Sequence, residues 1–215
     1  MRGLAKALCL LTLIALQACA GDQTLTLDMS GREMTFTKSG SYDLIVLSGA
    51  AMTTVVGAPS LPAIADNVVV PQDMRVTGVT CVPAISDSVK GSFFIMPVQR
   101  PQPISATGKL SFVPPDPVIY NLDEAYPKAL AMLTGQSSMR GYNVASLIVY
   151  PLQYSPKSRT LKFHRKLSLN LAMDPADLGY LPVGQRSKER QEAIENEVRS
   201  VVVNPDDVSR FAPKE

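Results

Sequence analysis

The strongest constraint on the fold is an alternation of apolar and polar side chains over residues 161–173. Apolar side chains occupy the odd positions except 165, and most even positions are polar, with His164 among them. Successive side chains of a β-strand point to opposite faces, so this period of two predicts one long strand with a single buried face. Strands of this kind are typical of antiparallel sheets. The apolar series is Leu161, Phe163, Leu167, Leu169, Leu171 and Met173.

Shorter β-rich segments, separated by glycine, proline and serine at short intervals, run through most of the chain. Together they predict an all-β protein built as an antiparallel β-sandwich. The expected strands lie near residues 25–29, 43–47, 52–56, 67–70, 75–82, 92–96 and 143–150, with a hairpin over 150–161.

Two segments depart from this pattern. Residues 97–117 contain six prolines, which cannot occupy a central strand, and we expect a long surface loop there. Residues 187–203 predict an amphipathic helix that ends before Pro205, because apolar side chains recur among charged ones at helical spacing. These apolar residues are Ile194, Val198 and Val201.

The first twenty residues have the layout of a secretory signal peptide. Arg2 and Lys6 precede an apolar run at residues 7–16, which is too short to span a bilayer. Cleavage after Ala20 and a lipobox-like cleavage before Cys19 both fit, and in the second case Cys19 becomes a lipidated N-terminus. We therefore expect a secreted or cell-envelope protein without a membrane span.

The remaining composition argues against several classes of function. Without Arg2 and Lys6 the chain has equal numbers of basic and acidic residues, so it lacks the basic surface that nucleic acid binding requires. Only Cys81 remains inside the expected fold, which leaves no internal disulfide. One cysteine and one histidine cannot supply the usual zinc ligand sets, and no phosphate-binding loop is present. We expect no metal and no cofactor.

Cys81 and His164 are the only pair that could supply thiolate–imidazole chemistry. The alternative is structural. Cys81 lies in an apolar strand, where a cysteine is usually a small buried side chain. His164 lies between Lys162 and Lys166, whose charges disfavour its protonated form. We expect Cys81 to be buried and to lie apart from His164, so that the chain contains no catalytic residue. A hydrolase that uses Cys81 is an alternative hypothesis, and it requires an exposed Cys81 beside His164.

Two groups of motifs resemble the propeptide of gingipain-type cysteine peptidases, over about residues 50–175. The first is G-x-P-x-L-P at 57–62. The second is an ordered series of Y-P, R-G and P-x-Q-Y-S-P followed by T-L, in which Ser155 replaces the usual asparagine. The residues that carry these motifs are Gly57, Pro59, Leu61, Pro62, Tyr126, Pro127, Arg140, Gly141, Pro151, Gln153, Tyr154, Pro156, Thr160 and Leu161.

The resemblance implies a β-sandwich prodomain that packs against a caspase-like catalytic domain, assists its folding and blocks its active site until cleavage. After the signal peptide at 1–20, it implies a propeptide-like domain at 21–180 and a helical junction at 181–215 that leads toward a catalytic domain outside this sequence. We expect the chain to be either part of a longer precursor, with the catalytic domain as its partner in cis, or a stand-alone homologue, with that partner in trans.

Basic-specific members of that family are blocked by an arginine on the loop between the corresponding strands. Arg100 and Lys109 are the only cations in residues 97–117. We expect Arg100 to be the blocking residue, because a guanidinium can pair bidentately with a carboxylate and Pro101 makes the following bond a poor substrate. The alternatives are an ordinary solvated arginine and, for the whole chain, a secreted or lipid-anchored surface-binding module.

Overall fold

The computed structural model describes residues 21–102, 105, 111–180 and 183–213. The expected signal segment with Cys19, and Lys109, lie outside the described residues. The elements in chain order are β1 Gln23–Asp28, β2 Met34–Ser39, β3 Tyr42–Leu47, β4 Ala51–Met52, β5 Pro62–Val70, β6 Met74–Val89, α1 Pro117–Tyr120, β7 Ala131–Met139, β8 Tyr142–Val149, β9 Leu152–Ser155, β10 Thr160–Pro175, α2 Lys188–Arg199 and a 3₁₀ helix Pro205–Asp207.

One sheet is organised around β10, the strand that the alternation predicts. β1 and β6 pair with β10 on its two sides, and β9 folds back onto its first residues. All these pairs are antiparallel. The six apolar side chains of β10 are 0–8% exposed, so the expected buried face is confirmed.

A second sheet has the order β4-β5-β8-β7, also antiparallel, and β2 and β3 form a separate hairpin. The β7–β8 hairpin turns through Arg140 and Gly141, both at positive φ, with Met139 paired to Tyr142. Such two-residue turns match the twist of the strands they join.

One cluster of buried side chains draws on both sheets and forms the main core. Val68 of β5 and Leu147 of β8 lie in it together with Leu27 of β1 and Leu169 of β10. Removal of this apolar surface from water is the main stabilising term of the fold. The antiparallel β-sandwich is therefore confirmed.

A second, smaller core lies on the other face of β5 and β8, where α2 and the residues after it pack. Val69, Tyr142 and Val144 form one buried cluster there with Val198 of α2 and with Val202 and Val208. The helix ends at Arg199, four residues before the expected end. Val201 therefore leaves the helical register and is exposed, which corrects its place in the predicted apolar stripe.

The segment after α2 also covers the open edge of β5, which pairs with β4 only at Pro62 and Ala63. The Val203 N–H donates to Asn67 O at 2.9 Å. The Asn204 side chain accepts from Val69 N–H at 2.9 Å and donates to Val69 O at 2.8 Å. An exposed strand edge is a template for aggregation, so this cover protects the sheet.

Several sequence-based expectations differ from the structure. No strand forms over 92–96, where the described backbone makes only isolated bridges such as Asp43 with Ile95. The strand expected at 52–56 is reduced to β4. β2 and β7 were not predicted, because most of their side chains are exposed and leave no buried period. No described helix is long and apolar enough to cross a membrane.

Candidate functional site

Cys81 and His164 do not form a catalytic pair. On β6, Cys81 lies opposite Leu169 and Ser86 lies opposite His164, so five positions separate them. At about 3.3 Å per residue this is roughly 17 Å along the strands. The expectation that the two lie apart is confirmed, although Cys81 is half-buried and not fully buried. Burial raises the pKa of its thiol to about 11, which disfavours the nucleophilic thiolate at neutral pH.

His164 is buried, which corrects its expected place on a solvent-facing side. The first register shift of the β6–β10 pairing comes after His164, so His164 stays on the face opposite Phe163 and is covered there by neighbours that include Ser86 and Gln153. Gln153 Nε2 donates to Pro127 O at 2.9 Å, which leaves Gln153 Oε1 to accept from His164 Nε2 at 3.1 Å. His164 Nδ1 then accepts from Ser86 Oγ at 2.7 Å.

This arrangement gives a neutral imidazole with both nitrogens satisfied. Burial, and then the nearby Lys162 charge, lower the pKa of His164. The ring is a buried structural link between Ser86 and Gln153. No cluster of three or more potential metal ligands occurs in the part of the chain that the structure describes.

The feature with the geometry of a functional site is the Pro-rich loop and its base. Among the described residues of 98–116 no helix or strand interrupts it, as expected. Its two ends are held by the G-x-P-x-L-P motif. Gly57 N–H donates to Val98 O and Val98 N–H donates to Ala58 O, while Asp116 N–H donates to Gly57 O, at 2.8–2.9 Å. Gly57 has φ +85, a conformation that favours glycine.

The rest of this motif is buried beneath the loop. Pro59 bridges Pro97, and Ser60 N–H donates to Met96 O at 2.9 Å. Leu61 is fully buried in the main core, as expected for an apolar anchor, and Pro62 begins β5. The motif therefore connects the sandwich core to both ends of the loop.

Just beyond Val98, the Gln99 side chain joins the two ends of the loop, which we call its neck (Pro97–Gln99 and Val113). Its Nε2 donates to Val113 O at 3.0 Å and to Pro97 O at 2.9 Å, and its Oε1 accepts from Val113 N–H at 2.9 Å. Arg100 and Pro101 follow directly and are exposed. No described carboxylate forms an ion pair with Arg100.

A chain of aromatic rings lies against the downstream end of the loop. Phe112 contacts Tyr42 at 5.6 Å between ring centroids, and Tyr42 stacks on Phe94 at 4.8 Å. Phe94 meets Tyr120 of α1 edge-on, and the Arg159 guanidinium lies 4.8 Å from its ring. Offset and edge-on ring contacts of this kind add stabilisation beyond that provided by the apolar area that the rings bury.

The second group of motifs is structural. Tyr126 and Tyr154 exchange two backbone hydrogen bonds at 2.7 Å, and Gln153 reaches Pro127 as described. Tyr154 is fully buried and its hydroxyl donates to Phe93 O, so it closes the end of the core as predicted. Pro151 and Pro156 flank this segment and are buried.

The R-G pair ties the β7–β8 hairpin to the C-terminal segment. Arg140 forms an ion pair with Glu197 of α2 at 3.1 Å, and Arg186 donates to Arg140 O at 2.9 Å. A Cβ on Gly141 would collide with Val183 Cγ2, and its φ is +86. Only glycine fits this approach without rearrangement.

Sequence reasoning did not identify Gln99, Asp116 or the chain of aromatic rings at the downstream end of the loop. Asp116 caps α1, accepting from Val118 N–H at 2.8 Å with Pro117 at the first helical position, and this start signal was readable in the sequence. Gln99 had no comparable signal, because its partner is the backbone of Val113, fourteen residues away.

Comparison with known proteins adds a family match. The family model Propeptide_C25 matches residues 27–210. Lys-gingipain, Lys-gingipain 381 and Lys-gingipain W83 of Porphyromonas gingivalis are each 27% identical over 152 residues, which is 66% of this chain. The chain spans 8% of the length of these relatives.

Two solved structures share the fold. A complex of the pro- and mature domains of Porphyromonas gingivalis RgpB contains a chain that superposes with a TM-score of 0.63 at 17% identity, covering 89% of this chain and 96% of that one. A structure on the zymogenic latency of gingipain K from the same organism gives 0.53 at 23% identity, covering 74% and 90%.

Proposed function

Because the chain belongs to the Propeptide_C25 family, we propose that it acts as an inhibitor and folding assistant of a gingipain-like cysteine peptidase catalytic domain, in cis or in trans. One observation supports this most directly: an exposed arginine without a described ion-pair partner follows the closed neck of a Pro-rich loop. The sandwich and its two cores supply a rigid support for that loop, as a blocking domain requires.

The proposed block places Arg100 in the specificity pocket of the peptidase. Its guanidinium can form two parallel hydrogen bonds with a carboxylate, which Lys109 cannot reproduce as a single point charge. Pro101 then occupies the position after the scissile bond, where its ring fixes φ and its nitrogen has no hydrogen to donate. A peptidase would bind this segment but cleave it poorly.

A covalent connection would lower the affinity that inhibition needs. Tethered partners experience effective concentrations of about millimolar with short linkers. We propose that residues 21–180 are the inhibitory domain and that 181–215 lead toward the catalytic domain. Residues 1–20 are proposed as a secretory signal, with Cys19 lipidated if the lipobox-like cleavage is used.

The test is inhibition of an arginine-specific gingipain-type peptidase by the chain starting at residue 21. Removing one partner of a buried charge pair costs about 2–5 kcal/mol, so Arg100→Ala should raise the inhibition constant by about 30-fold or more. Arg190→Ala, on the exposed surface of α2, is the matched control and should leave it unchanged. An unchanged inhibition constant for Arg100→Ala would show that Arg100 is not the blocking residue.

Folding assistance needs its own assay. The refolding yield of the catalytic domain should rise when the chain is present, and Arg100→Ala should retain this effect because the sandwich is intact. A chain that neither inhibits nor assists refolding would instead fit the surface-binding alternative.

A further inference from the structure

We propose that Gln99 is a positioning residue that orients Arg100 before any partner binds, by closing the base of the Pro-rich loop. This inference rests on the proposed function and adds a residue to it. Gln99 itself does not enter the specificity pocket. Its role is to reduce the number of orientations that the following arginine can adopt.

The first step of the argument is the geometry of the closure. The side-chain amide of Gln99 both donates to and accepts from the backbone of Val113, at 3.0 and 2.9 Å, as one strand residue does with another. Its Nε2 also donates to Pro97 O, which fixes the direction of the side chain. The two legs of the loop are thereby joined at residues that are fourteen positions apart.

The second step is the position of Arg100 relative to fixed points. Val98 is held to Gly57 and Ala58 by two backbone hydrogen bonds, and Gln99 adds the cross-link to the other leg. Pro101 restricts φ on the far side and also restricts the backbone of Arg100 itself. Arg100 therefore begins from a defined base, although its own side chain is exposed.

The third step separates this role from general stabilisation. Gln99 belongs to neither hydrophobic cluster, and the sandwich is held by residues outside the loop. Without the hydrogen bonds between Gln99 and Val113, the backbone at the two ends of the loop would have to be ordered during binding. Fixing the backbone of one residue changes an equilibrium constant by about tenfold, so preorganisation of this kind raises affinity without a new contact.

The experiment compares Gln99→Met, which keeps the side-chain length but makes none of the three hydrogen bonds, with Gln72→Met as the matched control. Gln72 also donates to a backbone carbonyl, that of Phe211, but lies away from the loop. Gln99→Glu keeps an acceptor for Val113 N–H but places a carboxylate oxygen against the carbonyls of Pro97 and Val113, so its effects should be at least as large as those of Gln99→Met. Urea unfolding verifies that each variant is folded.

Two readouts are needed. In the free chain, thermolysin should cut within residues 100–112 about tenfold faster in Gln99→Met than in wild type, with the cut sites assigned by mass spectrometry. Against an arginine-specific gingipain-type peptidase, Gln99→Met should raise the inhibition constant by about tenfold. In an Arg100→Ala background the same change should have no further effect, because an orienting residue acts only through the residue it orients.

Each contrary outcome has a distinct meaning. Unchanged thermolysin cleavage in Gln99→Met refutes the closure of the loop. Faster cleavage with an inhibition loss that is equally large in the Arg100→Ala background refutes the positioning of Arg100. A wild-type chain that does not inhibit refutes the proposed function itself, while the cleavage comparison still decides whether Gln99 closes the loop.

Discussion

The cover on the β5 edge makes Asn204→Ala an informative perturbation. Asn204 is 6% exposed and satisfies both backbone groups of Val69, which is itself fully buried. Alanine would leave a buried N–H and a buried carbonyl without partners, at about 1–3 kcal/mol each. We therefore expect a loss of about 2–6 kcal/mol, a large part of the 5–15 kcal/mol typical of a domain.

Urea unfolding measures this loss. The chain has no tryptophan and seven tyrosines, so tyrosine fluorescence and circular dichroism are suitable signals. Asn196→Ala, at an exposed position of α2, is the matched control and should change stability by less than about 1 kcal/mol, in the stabilising direction. Hydrogen exchange at the Val69 amide should accelerate in Asn204→Ala only.

The uncovered edge should also promote self-association, which size-exclusion chromatography would detect. A stability within about 0.5 kcal/mol of wild type, the usual range for surface substitutions, would refute the reasoning. It would mean that the segment after α2 does not satisfy the edge of β5 in solution.

Two further predictions follow from the buried titratable groups. In the chain starting at residue 21, whose one cysteine is Cys81, alkylation by iodoacetamide at pH 8 should be about 100-fold slower in the folded state than in urea, because burial raises the thiol pKa to about 11; equal rates would show that the thiol is accessible and ionised. His164 has a pKa below its unfolded value of about 6.5, so the unfolded chain takes up the proton first and the free energy of unfolding should fall as the pH decreases from 7 to 5.5. His164→Gln removes the only histidine and should lack this slope; identical slopes would contradict the account.

The predictability of each strand follows from how it is buried. β10 was predicted correctly because one face is buried along its whole length, and that burial appears in the sequence as a period of two. β2 and β7 have mainly exposed side chains and therefore left no such signal. Residues 92–96 alternate correctly, with Phe93 and Ile95 buried, yet the segment makes only isolated bridges. Alternation reports burial, and strand pairing is a separate property.

The candidate site was predictable to a smaller extent. Proline content indicated the loop, and motif order indicated the residues that support it. Arg100 could be singled out as a cation beside a proline, but its role as the blocking residue stays a prediction. The domain boundaries at residues 20 and 180 also stay predictions. The burial of His164 was not foreseen, because Ser86 and Gln153, which contact its ring, lie on other strands and come beside it only through strand pairing.

By itself the amino-acid sequence determined the class of fold and the position of the Pro-rich loop, because these depend on which side chains occur and how they alternate. Tertiary structure alone decided that Gln99 joins Val113 and that Asn204 joins Val69. In both cases a side-chain amide binds backbone atoms, which are the same at nearly every residue, so the partner becomes identifiable only once the chain has folded.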